Sequence, residues 1–168
     1  MGYSTDAAGF EVNHIVSGVV PIFWGGLAQV KHGVAVRYQR NLFHTRKVFS
    51  FDVGASVSYW KSRADRATFY TASLFPEFRF APFRMRGADL YFNYSLLGPT
   101  SISRVSIDGN DTGRHFTFQD FMGMGVYVGK DRHFNAEIHI GHYSNGNIFP
   151  QNAGVSIPLT FDLGYAFH

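Results

Sequence analysis

Residues 49–59 read Phe-Ser-Phe-Asp-Val-Gly-Ala-Ser-Val-Ser-Tyr, and this stretch decides the fold class. Its odd-numbered positions are apolar or aromatic, whereas its even-numbered positions are Ser, Asp or Gly. Successive side chains of a β-strand point to opposite faces, so this alternation predicts a strand with one apolar and one polar face.

The same alternation recurs along the chain and predicts eight strands of a barrel. The connections alternate between shorter and longer, which is typical of outer-membrane barrels with short periplasmic turns and longer extracellular loops. The predicted strands are Gly9–Val16, His32–Arg40, Val48–Trp60, Phe69–Phe80, Ala88–Leu97, Phe116–Val128, Asn135–Ser144 and Val155–Phe167.

Composition agrees with a membrane barrel. Aromatic residues make up 17% of the 168 residues and charged residues only 16%, against about 25% charged residues in ordinary globular proteins. The chain has no apolar run of the ~20 residues that a transmembrane helix needs. We therefore predict one all-β domain over residues 1–168, an eight-stranded antiparallel transmembrane β-barrel of the outer membrane. A soluble barrel with an apolar interior is the alternative.

The polar face carries isolated charges of both signs, which predict an ion-pair network inside a narrow barrel. The aromatic-rich face would then meet lipid, with Trp60 in an interfacial belt. The predicted interior charges are Arg37, Asp52, Glu77, Arg79, Asp89, Glu137 and Asp162.

Other partners are not indicated. The chain has no cysteine and a formal charge of +3, but its basic residues are scattered and no nucleic-acid motif occurs. Its histidines lack the spacing of a metal site, so neither a metal nor a cofactor is predicted. His139 is predicted to be a hydrogen-bonded interior residue, and Asp108–Asp111 a polar loop tip.

His142-Tyr143-Ser144-Asn145 ends the seventh predicted strand. His142 and Ser144 share one face with the apolar Ile138 and Ile140. An imidazole beside a hydroxyl is the arrangement with which a general base activates a serine nucleophile. The alternative is an interfacial His and Ser, with the hydroxyl starting a turn.

This motif, with Asn152-x-Gly154 and a closing aromatic strand, resembles the PagL-type lipid A 3-O-deacylases. Phe118-Gln119-Asp120 followed by Gly123-x-Gly125 resembles the preceding strand of that family. The resemblance implies an outer-membrane esterase, monomeric or homodimeric, that removes the 3-linked acyl chain of lipid A in lipopolysaccharide at the outer leaflet. The implied roles are base for His142, nucleophile for Ser144, and oxyanion stabilisation for Asn152, Asn145 and Gly146.

The chain departs from the family at one position. The family has a Glu two residues after the Gly of Asn-x-Gly, where this sequence has Ser156. If the hairpin turns near Asp131, antiparallel pairing puts Asp120 opposite His142 on the apolar face. Asp120 is therefore one hypothesis for the group that orients His142. Equally open is a role in capping the strand end or binding a lipid amine.

Four loop arginines could hold the phosphates of lipid A, although ordinary solvated loop charge is the alternative for each. They are Arg63, Arg66, Arg104 and Arg114.

Two other functions stay open from the sequence. Outer-membrane phospholipase A shares the pattern His-x-Ser-Asn-Gly, but its barrels have more strands than this chain can supply. A structural or adhesive barrel with a decayed site is the second alternative, because the family Glu is missing.

Overall fold

The computed structural model describes residues 6–9, 26–45 and 48–167. All of its regular elements are β-strands, and within these residues no helix has the length and apolar character to cross a membrane. The strands are β1 (Asp6–Gly9), β2 (Ala28–His44), β3 (Phe49–Ser62), β4 (Thr68–Met85), β5 (Ala88–Ile102), β6 (Ser106–Ile107), β7 (Asn110–Asp111), β8 (Phe116–Val128), β9 (Phe134–Ser144) and β10 (Val155–Phe167).

The long strands form a closed barrel in the order β2-β3-β4-β5-β8-β9-β10. At one end β10 pairs directly with β2, and because both strands run the same way this pairing is parallel, with Val155 opposite Ala28. At the other end the short β1 lies between them and pairs with both. An all-β closed barrel is thus confirmed.

The predicted number of strands is wrong. Within the described residues the barrel has seven long strands, and β1, with four residues, occupies the eighth position. The predicted strand Gly9–Val16 lies outside the described residues except for Gly9. Seven strands in succession are joined by six antiparallel pairings, and this even number makes the first and last long strands parallel where they meet.

The bounds of β8 and β10 agree with the prediction, whereas β2, β4 and β5 are longer than predicted. The hairpin β6–β7 was not predicted. Its turn residues Asp108 and Gly109 have φ of 53° and 73°, as a tight hairpin turn requires. The Asp108 carboxylate accepts hydrogen bonds from the backbone N–H groups of Gln29, Ala64 and Asp65 at 3.1, 2.8 and 3.0 Å. The hairpin is therefore tied to two neighbouring loop-end segments.

Two arginines organise the polar interior. Arg37 contacts Glu137 at 3.2 Å and Asp162 at 2.9 Å. Arg79 contacts Asp52 at 2.6 Å and Glu77 at 2.7 Å. All six side chains are buried, which confirms the predicted network. Asp89 is the exception, since it pairs with Arg132 near the short turns.

Trp60 does not lie in an outer belt as predicted. Its parity in β3 turns it inward, where it is 3% exposed, and its Nε1 donates to the Tyr143 hydroxyl at 3.3 Å. It belongs to an apolar cluster that fills the barrel at the end of the longer loops. The outer face is apolar and aromatic, with exposed side chains that include Val57, Tyr70, Leu74, Phe92, Met124, Ile138 and Leu163.

Candidate active site

His142, Tyr143 and Ser144 are the last three residues of β9, and their side chains alternate between the two faces of the strand. Tyr143 points inward and is 1% exposed, and its hydroxyl is hydrogen-bonded to Trp60 and to Thr71, the latter at 3.0 Å. This anchor fixes the strand from inside, so His142 and Ser144 both face outward.

The register of β8 against β9 brings Asp120 opposite His142 and Phe118 opposite Ser144. The predicted Asp120–His142 pairing is therefore confirmed as register. One carboxylate oxygen of Asp120, Oδ1, accepts a hydrogen bond from the backbone N–H of Leu97 at 2.6 Å. A carboxylate, an imidazole and a hydroxyl thus occupy adjoining positions on the outer face of two strands.

On the other side of His142, β10 presents Ser156 directly opposite. An irregularity between Ile157 and Thr160 shifts the register by one residue, and this shift turns Ser156 to the outer face. Ser156 is nevertheless buried, because the segment leading into β2 covers it. A Cβ added to Gly26 would lie 2.7 Å from the Ser156 Oγ. The backbone of Gly26 therefore packs closely against Ser156.

Asn145 holds the loop that follows Ser144. Its buried side chain donates to the carbonyls of Thr112 at 3.0 Å and Gln151 at 2.5 Å. Its backbone N–H donates to the Asn152 Oδ1 at 2.9 Å. These bonds occupy the donors of Asn145 in positioning the loop. Its predicted contact with an oxyanion stays a prediction.

Gly146 and Asn152, in the loop after Ser144, each have a hydrogen-bond donor that is available to a ligand. Gly146 has φ of 63°, is exposed, and its backbone N–H makes no hydrogen bond within the described part of the chain. Gly146 lies against the ring of Phe118, since a Cβ added to Gly146 would be 3.5 Å from that ring. The Asn152 Nδ2 donates one hydrogen to Asn147 at 2.9 Å and carries a second.

The four predicted arginines are exposed and lie at the same end of the barrel as Ser144. Arg63 donates to the Gln29 side chain at 3.0 Å, and Arg104 donates to the Ser106 carbonyl at 3.4 Å. The guanidinium of Arg114 stacks on Phe149, 4.7 Å from the ring centroid. Since Phe149 belongs to the loop after Ser144, Arg114 is the predicted arginine in contact with that loop.

One group of ligand-type side chains lies inside the barrel. Within the described residues, Glu137, His139 and Asp162 have ligand atoms within 4.8 Å of one another. Nδ1 of His139 contacts Asp162 at 2.5 Å, which agrees with the predicted hydrogen-bonded interior histidine. Arg37 contacts both carboxylates, so a guanidinium already supplies the positive charge at this position.

Sequence reasoning missed Leu97 and Gly26. The signal for Leu97 was available, since Leu96 and Leu97 are consecutive apolar residues before Gly98 and break the alternation of β5, as β-bulges do. The contact between Gly26 and Ser156 had no such signal, because it depends on how the barrel closes.

The described residues thus form a closed all-β barrel that carries Asp120, His142 and Ser144 on its outer face at one end. The family model for lipid A 3-O-deacylase (PagL) matches residues 32–165, most of the chain. The chain therefore belongs to the lipid A 3-O-deacylase (PagL) family. The resemblance and the lipid A 3-O-deacylase function predicted from the sequence are thereby confirmed.

Among solved structures, the chain is similar to the crystal structure of the outer membrane enzyme PagL. The TM-score is 0.60 at 17% identity, and the alignment covers 84% of this chain and 94% of that one. At this identity the likeness shows the fold. Comparison with curated proteins gives no match.

Proposed function

We propose that this ester hydrolase uses Ser144 as its nucleophile and His142 as its general base. The observation that carries the proposal is the adjoining outer-face positions of Asp120, His142 and Ser144 in the β8–β9 register. Polar side chains on an outward, apolar face are unfavourable unless they partner one another, which supports a functional reason for this grouping.

In the proposed reaction, the Ser144 Oγ attacks the carbonyl carbon of the 3-O-linked acyl ester while His142 takes the hydroxyl proton. The tetrahedral intermediate collapses, and His142 returns that proton to the departing sugar oxygen. The acyl group then stays on Ser144 as an ester. A water molecule, deprotonated by His142, hydrolyses it and releases the fatty acid and the free serine.

Asp120 is proposed to orient His142 and to stabilise its imidazolium. The family places a carboxylate on the β10 side, at the position of Ser156, but here that position is covered by the backbone of Gly26. The β8 side offers a carboxylate at the position directly opposite His142 in the register. A carboxylate beside a histidine favours the charged form of the ring, which a hydroxyl does not do to the same extent.

The proposed oxyanion donors are the backbone N–H of Gly146 and the second hydrogen of the Asn152 side-chain amide. Both belong to the loop that begins one residue after Ser144, and Asn145 fixes this loop through the three hydrogen bonds that it donates. Donors held in advance stabilise developing negative charge without reorganising during the reaction. In this proposal Asn145 acts by positioning Asn152.

We infer that the barrel spans the outer membrane with its site end at the outer leaflet, where lipopolysaccharide resides. The outer face of its strands is largely apolar and aromatic, and the ion-pair network of Arg37 and Arg79 is enclosed. The longer loops lie at the end that carries Ser144, as is typical of extracellular loops. The oligomeric state, monomer or homodimer, stays a prediction.

Arg114 is the arginine best supported as a contact for a lipid A phosphate, because Phe149 holds its guanidinium beside the loop of Ser144. Arg114→Ala should raise KM for phosphorylated lipid A by about tenfold. The same substitution should leave KM unchanged for a small uncharged ester. Arg66→Ala is the matched control, and an equal effect of both variants would contradict a specific role for Arg114.

The direct test is mass spectrometry of lipid A from cells that carry the wild-type chain or Ser144→Ala. The wild type should remove one 3-O-linked acyl group, and the variant should remove none although it still folds as a heat-modifiable barrel. Purified protein offered phospholipid instead should release little fatty acid. Full deacylation by Ser144→Ala would overturn the assigned nucleophile, and phospholipid as the better substrate would overturn the substrate.

A further inference from the structure

A β-bulge in β5 lies beside the Asp120 carboxylate. Ser95 pairs with Phe121 and Gly98 with Gln119, so β5 has one residue more than β8 between these pairs. Leu97 lies within this bulge and has φ of 55°. Leucine rarely adopts this left-handed conformation, and strained backbone of this kind persists only where the surrounding structure enforces it.

Close packing around the next residue, Gly98, holds the backbone of Leu97 in this conformation. A Cβ added to Gly98 would lie 2.7 Å from the Leu74 carbonyl oxygen of β4 and 3.2 Å from the Gln119 carbonyl oxygen of β8. Neighbouring strands therefore approach the bulge closely from both sides. From inside the barrel, the Thr100 hydroxyl donates to the Gly98 carbonyl at 2.9 Å. The bulge is thus a fixed element of the barrel wall.

The bulge changes what the Leu97 amide does. In a regular ladder this N–H would bond to a neighbouring strand's carbonyl or point away from it. In the bulge it donates to the Asp120 Oδ1 at 2.6 Å, a short charge-assisted hydrogen bond. In the β8–β9 register, Asp120 is directly opposite His142. On the same face, the neighbouring titratable groups of the flanking strands are His142 and Tyr94, which pairs with Met122 further along β8.

We propose that Leu97 is a positioning residue of the active site, whose bulged backbone N–H holds the Asp120 carboxylate in place to orient His142. The proposal rests on the proposed function of Asp120, His142 and Ser144. It also gives a reason for the strain at Leu97, because a regular strand would leave the carboxylate free to choose other rotamers. One fixed N–H removes that freedom before substrate binds.

The first test is NMR of the folded full chain in detergent micelles. The amide proton of Leu97 should resonate far downfield in the wild type and move upfield in Asp120→Asn, since the bond to a neutral acceptor is weaker. The amide of Ile138, on the same face of β9, should stay unchanged. A Leu97 amide that does not respond to Asp120→Asn would overturn the proposal, even if the wild type deacylates lipid A.

The second test separates kcat from KM. Leu97→Gly keeps the N–H and adopts positive φ freely, so kcat should stay within about twofold of the wild type. Leu97→Pro removes the N–H, and because proline holds φ near about −65° it also abolishes the positive-φ bulge, so kcat should fall about tenfold or more while KM for lipid A changes little. Equal kcat in both variants would overturn the proposal. If Leu97→Pro does not fold, the NMR comparison decides. A wild-type chain without deacylase activity would instead overturn the proposed function.

Discussion

Carboxylates inside the barrel and the carboxylate on its outer face have different partners. Inside, Glu137 and Asp162 share Arg37, so a permanent cation compensates them. Outside, Asp120 lies opposite His142, which carries positive charge only after it takes a proton. Among the described residues of the seven long strands, Asp120 is the carboxylate of the outer face. The interior charges therefore serve stability, and the outer one is suited to chemistry.

The largest effect is expected from Asp120→Asn, which keeps the shape of the side chain and removes its charge. Because the imidazolium loses its counter-charge, kcat should fall about 1,000-fold. The free energy of unfolding should change by no more than about 1 kcal/mol. Asp131→Asn, the same substitution in a turn at the opposite end, is the control. Wild-type kcat in Asp120→Asn would contradict a chemical role for the carboxylate on the outer face.

The converse is expected for Glu137→Ala. Glu137 accepts from Arg37 and, at 2.8 Å each, from Tyr91 and Asn93, so its loss leaves buried donors unpaired. The free energy of unfolding, measured by urea titration in detergent, should fall by about 3 kcal/mol. The kcat per folded molecule should not change. A variant with normal stability and low kcat would mean that the interior network takes part in the chemistry.

A small effect is expected from Ser156→Ala, which tests the β10 side of His142. Ser156 carries no charge, so its removal deletes at most a neutral hydrogen bond of about 1 kcal/mol, or about fivefold in kcat. Steady-state deacylation kinetics beside Asp120→Asn give the comparison directly. If Ser156→Ala were as inactive as Asp120→Asn, the orienting group would lie on β10 as in the rest of the family.

The smallest effect is expected at Asp65, a loop carboxylate that hydrogen-bonds to Ser62, Ala67 and Asp108 rather than to the interior arginines or to His142 and Ser144. Hydrogen bonds from the Ser62 hydroxyl and then the Ala67 N–H lower the pKa of Asp65. A lowered pKa means that these bonds stabilise the loop above the ordinary carboxyl pKa, and that this is lost as pH falls through the lowered value. Hydrogen exchange at the Ala67 amide, corrected for intrinsic rates, should therefore lose protection in acid. Asp65→Asn should remove this pH dependence, whereas an identical profile in the variant would contradict it.

The register of β8 and β9 was predictable from the sequence. Both strands alternate regularly and a short turn joins them, so shifting by one residue would turn every apolar side chain to the wrong face. This is why the sequence alone predicts Asp120 opposite His142. The enclosed ion pairs of Arg37 and Arg79 were predictable for the same reason, since parity assigned them to the polar face.

The bulges were not predictable in the same way. The extra residue at Leu97 and the register shift before Thr160 depend on how each strand pairs with both of its neighbours. The alternation of apolar and polar residues within one strand gives only a weak signal for such pairing. The predicted position of Trp60 is wrong because it relies on the preference of tryptophan for membrane interfaces. The even-numbered position of Trp60 in β3 places it on the inward face instead. The covering of Ser156 by Gly26 depends on barrel closure, which joins residues far apart in the sequence.

In the proposed mechanism, Ser144 is activated through His142 by a carboxylate from β8. Labelling with a fluorophosphonate tests it most directly, because this reagent reacts with activated serines independently of lipid A binding. Ser144 should be labelled in the wild type, slightly more slowly in Ser156→Ala, and in Asp120→Asn with a loss that parallels the loss of kcat. Equal labelling rates in the wild type and Asp120→Asn, or label on another residue, would contradict it.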